Sequence, residues 1–185
     1  MAVVGIIWLL WVIVWIAMAR GAKPVAKSEG VASRLTYLLL LGLAYYLLVA
    51  AYVPLPLLND RFAPLTPLLT WLGAALTCVG TSFAIWARVR LAGNWSGTVT
   101  LKQNHELIVE GPYRWVRHPI YSGLLTAIIG TALARGEWRG LIAVAVATIA
   151  LWRKLRLEEM IMRGEFGDTY ARYAERVPAL VPWLM

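Results

Sequence analysis

The chain has 185 residues, of which 60% are hydrophobic and 15% are charged, with ten Trp residues and a formal net charge of +8. This composition lies outside the range of soluble globular domains and predicts a small integral membrane protein. No basic stripe is interleaved with exposed aromatic residues, so we expect no nucleic-acid partner. The positive charge instead indicates membrane topology and contact with anionic membrane lipids.

Five apolar runs follow one another along the chain, at residues 3–19, 35–53, 68–87, 120–134 and 141–152. The first three have roughly 17 to 20 residues, enough for a helix to cross the hydrocarbon core of a membrane. The last two are shorter, and Gly136 and Gly140 mark a tight connection between them. A helical hairpin fits them better than two core helices of a soluble domain. The predicted fold is all-α, with five transmembrane helices.

The distribution of basic residues predicts the orientation, because basic loops stay on the cytoplasmic side of a membrane. Fifteen of the eighteen Lys and Arg residues fall in segments 20–34, 88–119 and 153–185, and the other three are Arg61, Arg135 and Arg139. We therefore expect an N-terminus outside and a cytoplasmic C-terminal tail. The inner membrane of a prokaryote is the expected location, and that expectation comes from the resemblance of the motifs described below. The first run has no basic residue before it and no small-x-small site before Arg20, which predicts a retained helix.

The two parts of the chain differ in character. Residues 1–87 consist of three apolar spans and carry almost no candidate chemistry, whereas polar residues gather in the region 88–185. Segment 97–114 alternates β-branched and polar residues, which predicts a short hairpin or extended loop before the fourth helix, with His105 as a turn residue. Beyond the fifth span, the pattern predicts a helix that breaks near Gly164 or Gly167, resumes, and stops at Pro178.

Polar residues cluster where the hairpin of spans four and five meets the cytoplasm. Charged groups at membrane depth are costly unless they are paired or hydrated, so they indicate a functional site. One set precedes or enters span four and another follows span five: Arg114, Arg117, His118 and Tyr121, then Arg153, Lys154, Arg156, Glu158 and Glu159. The alternative is that the arginines reach lipid phosphates and the glutamates pair along their helix. Two distant His residues and the single Cys78 predict no metal site.

The motif GPYRWVRHPIYSG, followed by EE, FGDTYARY and RVP, resembles the isoprenylcysteine carboxyl methyltransferase family and its prokaryotic relatives. The resemblance covers residues 90–182, about half of the chain. It implies a membrane-embedded methyltransferase that binds S-adenosyl-L-methionine between the C-terminal hairpin and the tail. A lipophilic small molecule or a lipid, entering from the bilayer, would be the methyl acceptor.

The resemblance also implies roles for individual residues. Cofactor binding is expected from seven of them: Arg117, His118, Pro119, Tyr121, Gly123, Glu158 and Glu159. Tyr121 offers a flat face with a hydroxyl group, Gly123 would allow close approach of the cofactor, and a glutamate would accept from the ribose or pair with the ammonium group. Tyr170 and Tyr173 are expected to pack the tail over the pocket.

Catalytic roles are expected from Arg176, Arg153 and Glu159. Arg176 is the first candidate to bind an acceptor carboxylate and Arg153 the second, and which arginine and which glutamate act stays open at this point. A carboxylate needs no strong base, whereas a thiol or amine acceptor would need His118 or a glutamate to take its proton.

Two other functions stay open on the sequence alone. Membrane sterol reductases share a similar RHP-x-Y-x-G element but use a nicotinamide cofactor, and they usually have more spans before the motif. A non-catalytic membrane protein of the same fold is the other alternative. Because no Gly-rich strand-to-helix turn is present, cofactor binding on a Rossmann-like sheet is not expected.

Overall fold

A computed structural model describes residues 1–19, 25–102 and 106–182. In these ranges the helices are α1 (Ala2–Ala19), α2 (Val31–Val49), α3 (Pro56–Asn59), α4 (Pro67–Leu91), α5 (Pro119–Arg135) and α6 (Trp138–Arg176). The short strands are β1 (Val25–Ser28) and β2 (Thr100–Lys102), and single 3-10 turns lie at Ala92–Asn94 and Gly111–Arg114. Arg20 and His105, to which the sequence assigns a loop and a turn, lie outside the described residues.

Three helices are long and apolar enough to cross a membrane: α1, α2, and α4 with the turn that continues it to Asn94. Large apolar side chains on all three are exposed, for example Leu9, Leu39 and Leu68. Such side chains need an apolar solvent, so these helices support an integral membrane protein. The predicted total of five spans adds α5 and the first part of α6, and it stays a prediction.

The backbones of α4 and α5 lie in direct contact because glycines face each other across the pair. An added Cβ on Gly80 would lie 2.5 Å from the Gly123 carbonyl oxygen, and one on Gly73 would lie 2.5 Å from the Gly130 oxygen. Close approach of this kind is how helices associate in membranes, where burial of apolar surface gives little driving force. The first turn of α5, which carries the RHP motif, is thus held rigidly against α4.

The helices α5 and α6 form a helical hairpin, as the apolar runs predict. Gly136 ends α5 in the left-handed conformation, with φ of 67°. A Cβ there would also lie 2.9 Å from the Ala63 carbonyl oxygen, so both the backbone angle and the space favour glycine. Small residues let α6 pack closely on α2 and α5: Ala143, Ala147 and Ala150 are fully buried.

The extended segment before α5 pairs with β1, a strand in the connection between α1 and α2. Strand β2 is antiparallel to β1, with Ser28 opposite Thr100. Residues 106–109 have no regular structure. The expected extended loop is therefore present, but its strand pairs with the α1–α2 connection because that connection supplies the free edge. The pairing brings residues 97–99 next to the start of α2.

The polar part of α6 bends back toward the start of α5. Gly167 has non-helical angles inside α6, with φ of 49° and ψ of −126°, so the predicted break falls at this glycine. After the helix ends at Arg176, the chain runs alongside the RHP motif. The Arg117 amide donates to the Pro178 oxygen at 2.8 Å, and the His118 amide donates to the Ala179 oxygen at 3.0 Å.

The two predicted regions, 1–87 and 88–185, pack against each other along much of their length. Helix α4 continues through Arg88 without interruption, and α2 packs against α6. The boundary is thus a prediction about where the chemistry lies, and we return to it under the proposed function.

Candidate active site

A cavity of about 250 Å³ lies between the helices and the C-terminal tail. One end is polar, and its lining includes Arg117, His118, Tyr121, Lys154 and Glu158. The other end is apolar and aromatic, and its lining includes Trp11, Trp15, Leu41, Leu91 and Trp95. The cavity therefore places a charged group beside surfaces that come from candidate membrane spans.

The RHP motif places the His118 side chain at the polar end. Pro119 is the first residue of α5, a position that suits its fixed φ and its missing N–H group. The His118 carbonyl oxygen accepts hydrogen bonds from the amides of Tyr121 and Ser122, both at 3.0 Å. The imidazole then lies parallel to the Tyr121 ring, with centroids 5.6 Å apart and an interplanar angle of 1°.

Two adjacent carboxylates from α6 meet this imidazole. Nδ1 of His118 lies 3.5 Å from Oε2 of Glu158, and Nε2 lies 3.4 Å from Oε1 of Glu159. The Tyr121 hydroxyl donates to Oε1 of Glu158 at 2.5 Å. Because neighbouring residues on a helix point in different directions, the two carboxylates bracket the ring from two sides.

The arrangement favours a charged imidazolium between two ionised carboxylates. Burial by itself lowers the pKa of His118, but hydrogen bonds and charge attraction from Glu158 and Glu159 outweigh it, so the pKa is raised above 6.5. Burial likewise acts to raise the pKa of Glu159, yet His118 and Arg117 lower it to about 2. The pKa of Glu158 is also lowered, since His118, Lys154 and Tyr121 offset its burial.

Arg117 uses its guanidinium to bind other groups of the protein. Its Nε and Nη2 atoms lie 2.8 Å and 2.6 Å from Oε1 of Glu159. Nη1 donates to the carbonyl oxygens of Ala174, at 2.9 Å, and Val177, at 2.5 Å. The guanidinium thus ties α6 and the tail to the start of α5, and most of its donors are used there.

The tail closes one side of the cavity with aromatic rings. Tyr170 and Tyr173 both line the cavity and contact each other edge to face, with ring centroids 6.0 Å apart. The Tyr173 hydroxyl donates to the Tyr113 carbonyl oxygen at 2.6 Å. This is the position in which the sequence predicts the two tyrosines.

The structure brings together most, but not all, of the predicted site residues. Five line the cavity: Arg117, His118, Pro119, Tyr121 and Glu158. Glu159 lies outside the lining, behind Arg117 and His118, where its side chain is 10% exposed.

Gly123 has a different role from the predicted contact with a cofactor. It faces α4, and a Cβ there would lie 2.5 Å from the Gly80 oxygen and 2.8 Å from the Ala84 amide nitrogen. It is not part of the cavity lining. Position 123 packs helices because the face of α5 that bears it is turned toward α4, which leaves no space for a ligand.

Arg153 and Arg176 also differ from expectation, because both are exposed and neither lines the cavity. Before the bend at Gly167, the α6 residues in the lining are Leu151, Lys154, Glu158 and Met162, which lie on one face at helical spacing. Arg153 is one residue away from that face. Arg176 ends the helix after the bend at Gly167 and carries its side chain on the outer side of the tail.

Several lining residues were missed at the level of sequence. Lys154 appears there as one member of the polar cluster, without a role in the site, although its spacing from Leu151 and Glu158 already puts all three on one face. The local sequence pattern does not show that Trp11 and Trp15 face the cavity, because α1 is apolar around its whole circumference. Trp95 and Gly97 reach the cavity through the strand pairing described above.

Comparisons with known proteins agree with this arrangement. The family model described as phospholipid methyltransferase matches residues 68–169. A protein-S-isoprenylcysteine O-methyltransferase from Schizosaccharomyces pombe is 30% identical over 111 residues, covering 57% of this chain and 46% of that protein. Methanethiol S-methyltransferase 1 from Bradyrhizobium diazoefficiens is 32% identical over 178 residues, covering 88% and 56%.

A solved structure shares the fold. The eukaryotic intramembrane Ras methyltransferase ICMT (isoprenylcysteine carboxyl methyltransferase), in its structure without a monobody, matches with a TM-score of 0.54 and 20% sequence identity. The match covers 82% of this chain and 51% of the solved chain. This chain thus spans about half the length of the relatives named here.

Fold and site together define a helical integral membrane protein with a polar cavity at the end of an apolar hairpin. The chain belongs to the phospholipid methyltransferase family. Its relation to the isoprenylcysteine carboxyl methyltransferases, which the RHP, EE and tail motifs predict, is confirmed.

Proposed function

We propose that this protein is an S-adenosyl-L-methionine-dependent methyltransferase of the membrane that methylates a lipophilic acceptor, with a carboxylate as the acceptor group. One observation carries the proposal. The cavity has Glu158 and His118 at one end, with Glu159 behind them, and a set of Trp and Leu side chains at the other. A charged, water-soluble methyl donor and an apolar acceptor need such a junction.

The polar end has the chemistry that this methyl donor requires. S-adenosyl-L-methionine carries a sulfonium and an ammonium group, which favour an acidic environment, and ribose hydroxyls, which favour carboxylate acceptors. Glu158 and the Tyr121 ring line the cavity at this end, next to His118 and Pro119. These four residues would hold the donor, which would supply an electrophilic methyl group when bound.

The two glutamates are proposed to act differently. Glu158 lines the cavity, and its side chain is 23% exposed, whereas that of Glu159 is 10% exposed and pairs with Arg117. We assign Glu158 to the ligand and Glu159 to holding Arg117 and His118 in place. Glu159 thereby positions the site, in place of the catalytic role expected from the sequence.

A carboxylate acceptor suits this site, because it is already a nucleophile at neutral pH. The protein then has to orient the acceptor and exclude water, and it does not have to remove a proton. Tyr170 and Tyr173 cover the cavity on the tail side, and Trp11 and Trp15 cover it on the α1 side. A thiol acceptor, the kind that the name of the Bradyrhizobium relative contains, would need a base. Glu158 would be the carboxylate in the lining, since His118 as an imidazolium would first have to lose its own proton.

The location of the activity is also part of the proposal. We propose five spans in the inner membrane of a prokaryote, with the N-terminus outside and the cavity at the cytoplasmic face. The region 88–185 supplies the polar chemistry, and residues 1–87 supply apolar cavity walls such as Trp11, Trp15 and Leu41. The family membership and the named relatives favour a methyltransferase over a sterol-type NADPH reductase or a non-catalytic membrane protein.

The proposal is tested by calorimetric titration of the purified protein in lipid nanodiscs with S-adenosylhomocysteine, with NADPH as the parallel titrant. We expect saturable binding of S-adenosylhomocysteine and none of NADPH. Replacement of Glu158 by Gln should weaken that binding about tenfold to a hundredfold, the range for loss of a charge-assisted hydrogen bond. Arg156→Gln, an exposed change on the same helix, is the control. Binding of NADPH alone, or of neither compound, would overturn the proposal.

A further inference from the structure

The cavity contains one cation whose hydrogen-bonding capacity is largely free. Of the lining residues that the structure describes, Arg117 and Lys154 are the Arg and Lys side chains. Arg117 is used by Glu159 and the tail. Lys154 is buried, with 8% of its surface exposed, yet across the described ranges its Nζ donates one hydrogen bond, to the Gly97 carbonyl oxygen at 2.8 Å. An ammonium group has three donors, so two have no acceptor among the described residues and are available to a ligand.

Aromatic rings hold the Lys154 ammonium in place. Its Nζ lies 5.2 Å from the centroid of the Tyr37 ring and 5.5 Å from that of Tyr121. Rings at these distances attract a cation through their faces but do not neutralise it. The Tyr37 and Tyr121 hydroxyls donate to Glu29 and Glu158, so the rings themselves are fixed. The result is a preorganised positive charge at the edge of the polar end, close enough to Glu158 to lower the pKa of that carboxyl group.

The order of residues along α6 gives this charge a place between the two ends. Leu151, Lys154, Glu158 and Met162 line the cavity in that order. At 1.5 Å per residue, Lys154 lies about 6 Å along the helix from Glu158, on the side nearer to the apolar run. A ligand in the cavity would therefore meet first an apolar wall, then a cation, then the acidic end.

We propose that Lys154 binds the anionic head group of the lipophilic acceptor and sets the preference of the site for acidic amphiphiles. The inference rests on the proposed function and deepens it, because it replaces the predicted Arg176 and Arg153 by a residue inside the cavity. A carboxylate or a phosphate would accept from the two free Nζ donors, while its chain lies against Trp11, Trp15 and Leu41. The acidic end then stays available to the cationic methyl donor, and electrostatic complementarity separates the two ligands.

The test measures binding of simple amphiphiles to the protein in phosphatidylcholine nanodiscs, without a methyl donor. The ligands are radiolabelled dodecanoate, dodecyl phosphate and the neutral dodecanol, and the variants are Lys154→Met, Lys154→Arg and the exposed control Arg156→Met. We expect Lys154→Met to weaken binding of at least one anion about tenfold to a hundredfold and to leave dodecanol unchanged. Lys154→Arg should retain the preference for that anion over dodecanol, and Arg156→Met should bind as the unchanged protein does. The two anions distinguish a carboxylate from a phosphate acceptor.

Three results would overturn the assignment of Lys154: equal affinity of the unchanged protein for anions and dodecanol, no effect of Lys154→Met, or an equal loss for all three ligands. S-adenosylhomocysteine binding is measured on the same variants. Its loss in Lys154→Met would place the methyl donor at this cation and would also overturn the assignment. If the unchanged protein does not bind S-adenosylhomocysteine but still prefers the anions to dodecanol, the proposed methyltransferase function is overturned and the assignment of Lys154 to an anion site is retained.

Discussion

Replacement of Arg117 by Met should release the C-terminal tail while leaving the membrane helices folded. The guanidinium contacts Glu159 through two nitrogen atoms and donates to the carbonyl oxygens of Ala174 and Val177. The Glu159 residue is 7% exposed, so its charge would stay buried with His118 as its remaining ionic partner among the described residues. Removing one partner of a buried ion pair costs about 3 to 5 kcal/mol.

The cost should appear as local opening of the tail, because the contacts of Arg117 join the tail to α5 and do not join α4 to α5. A loss of about 3 kcal/mol raises the ratio of open to closed tail by roughly 150-fold. Amide hydrogen exchange in nanodiscs, followed by mass spectrometry of peptides from 168–180, measures this ratio. We expect faster exchange there and unchanged exchange in 67–91. The exposed Arg114→Met is the matched control, and it should change neither segment.

Two results would refute this reasoning. Unchanged exchange of the tail in Arg117→Met would mean that the backbone hydrogen bonds from Arg117 and His118 to Pro178 and Ala179 suffice to hold it. Equally faster exchange in 67–91 would mean that Arg117 supports the whole fold and not the tail in particular.

Two further predictions concern helix packing and pH. Gly80→Ala should lower the stability of the protein by about 1 to 3 kcal/mol, because the new Cβ would lie 2.5 Å from the Gly123 oxygen. Gly42→Ala, with nothing within 4 Å of its Cβ, should leave stability unchanged or raise it by up to about 1 kcal/mol. The measurement is the midpoint of unfolding in detergent. Equal effects of the two changes on that midpoint would contradict the packing of α4 on α5. The charge pairing at His118 should make thermal stability greatest between about pH 4.5 and 6.5. His118 has a raised pKa, so its contribution to stability is complete below pH 6.5 and is lost as the pH rises through the pKa of the folded state. Glu159 has a pKa lowered to about 2, so its contribution to stability is complete above pH 4.5 and is lost as the pH falls toward 2. Melting temperatures of the unchanged protein and of His118→Gln across this range check the sign, and a decline above pH 6.5 that persists in His118→Gln would show that another group causes it.

The class of protein and the location of its polar chemistry were predictable from the amino-acid sequence. The apolar runs indicate a membrane protein because a long apolar helix satisfies both the side chains and the backbone in lipid. The RHP and EE motifs indicate one site because a hairpin with a short connection must bring its two ends together. The helix break was also predictable, because glycine adopts the positive φ found at Gly167 without steric cost.

Which residue on each element faces the cavity depends on how the helices pack, and the sequence did not predict it. Periodicity shows that Leu151, Lys154 and Glu158 share a face of α6, but the rotation of α6 against α2 and α5 determines that this face, and not that of Arg153, lines the site. The same kind of rotation turns Gly123 toward α4 and away from any ligand. These orientations depend on contacts between residues far apart in the chain, and such contacts leave no signal in the local pattern of residues that they arrange.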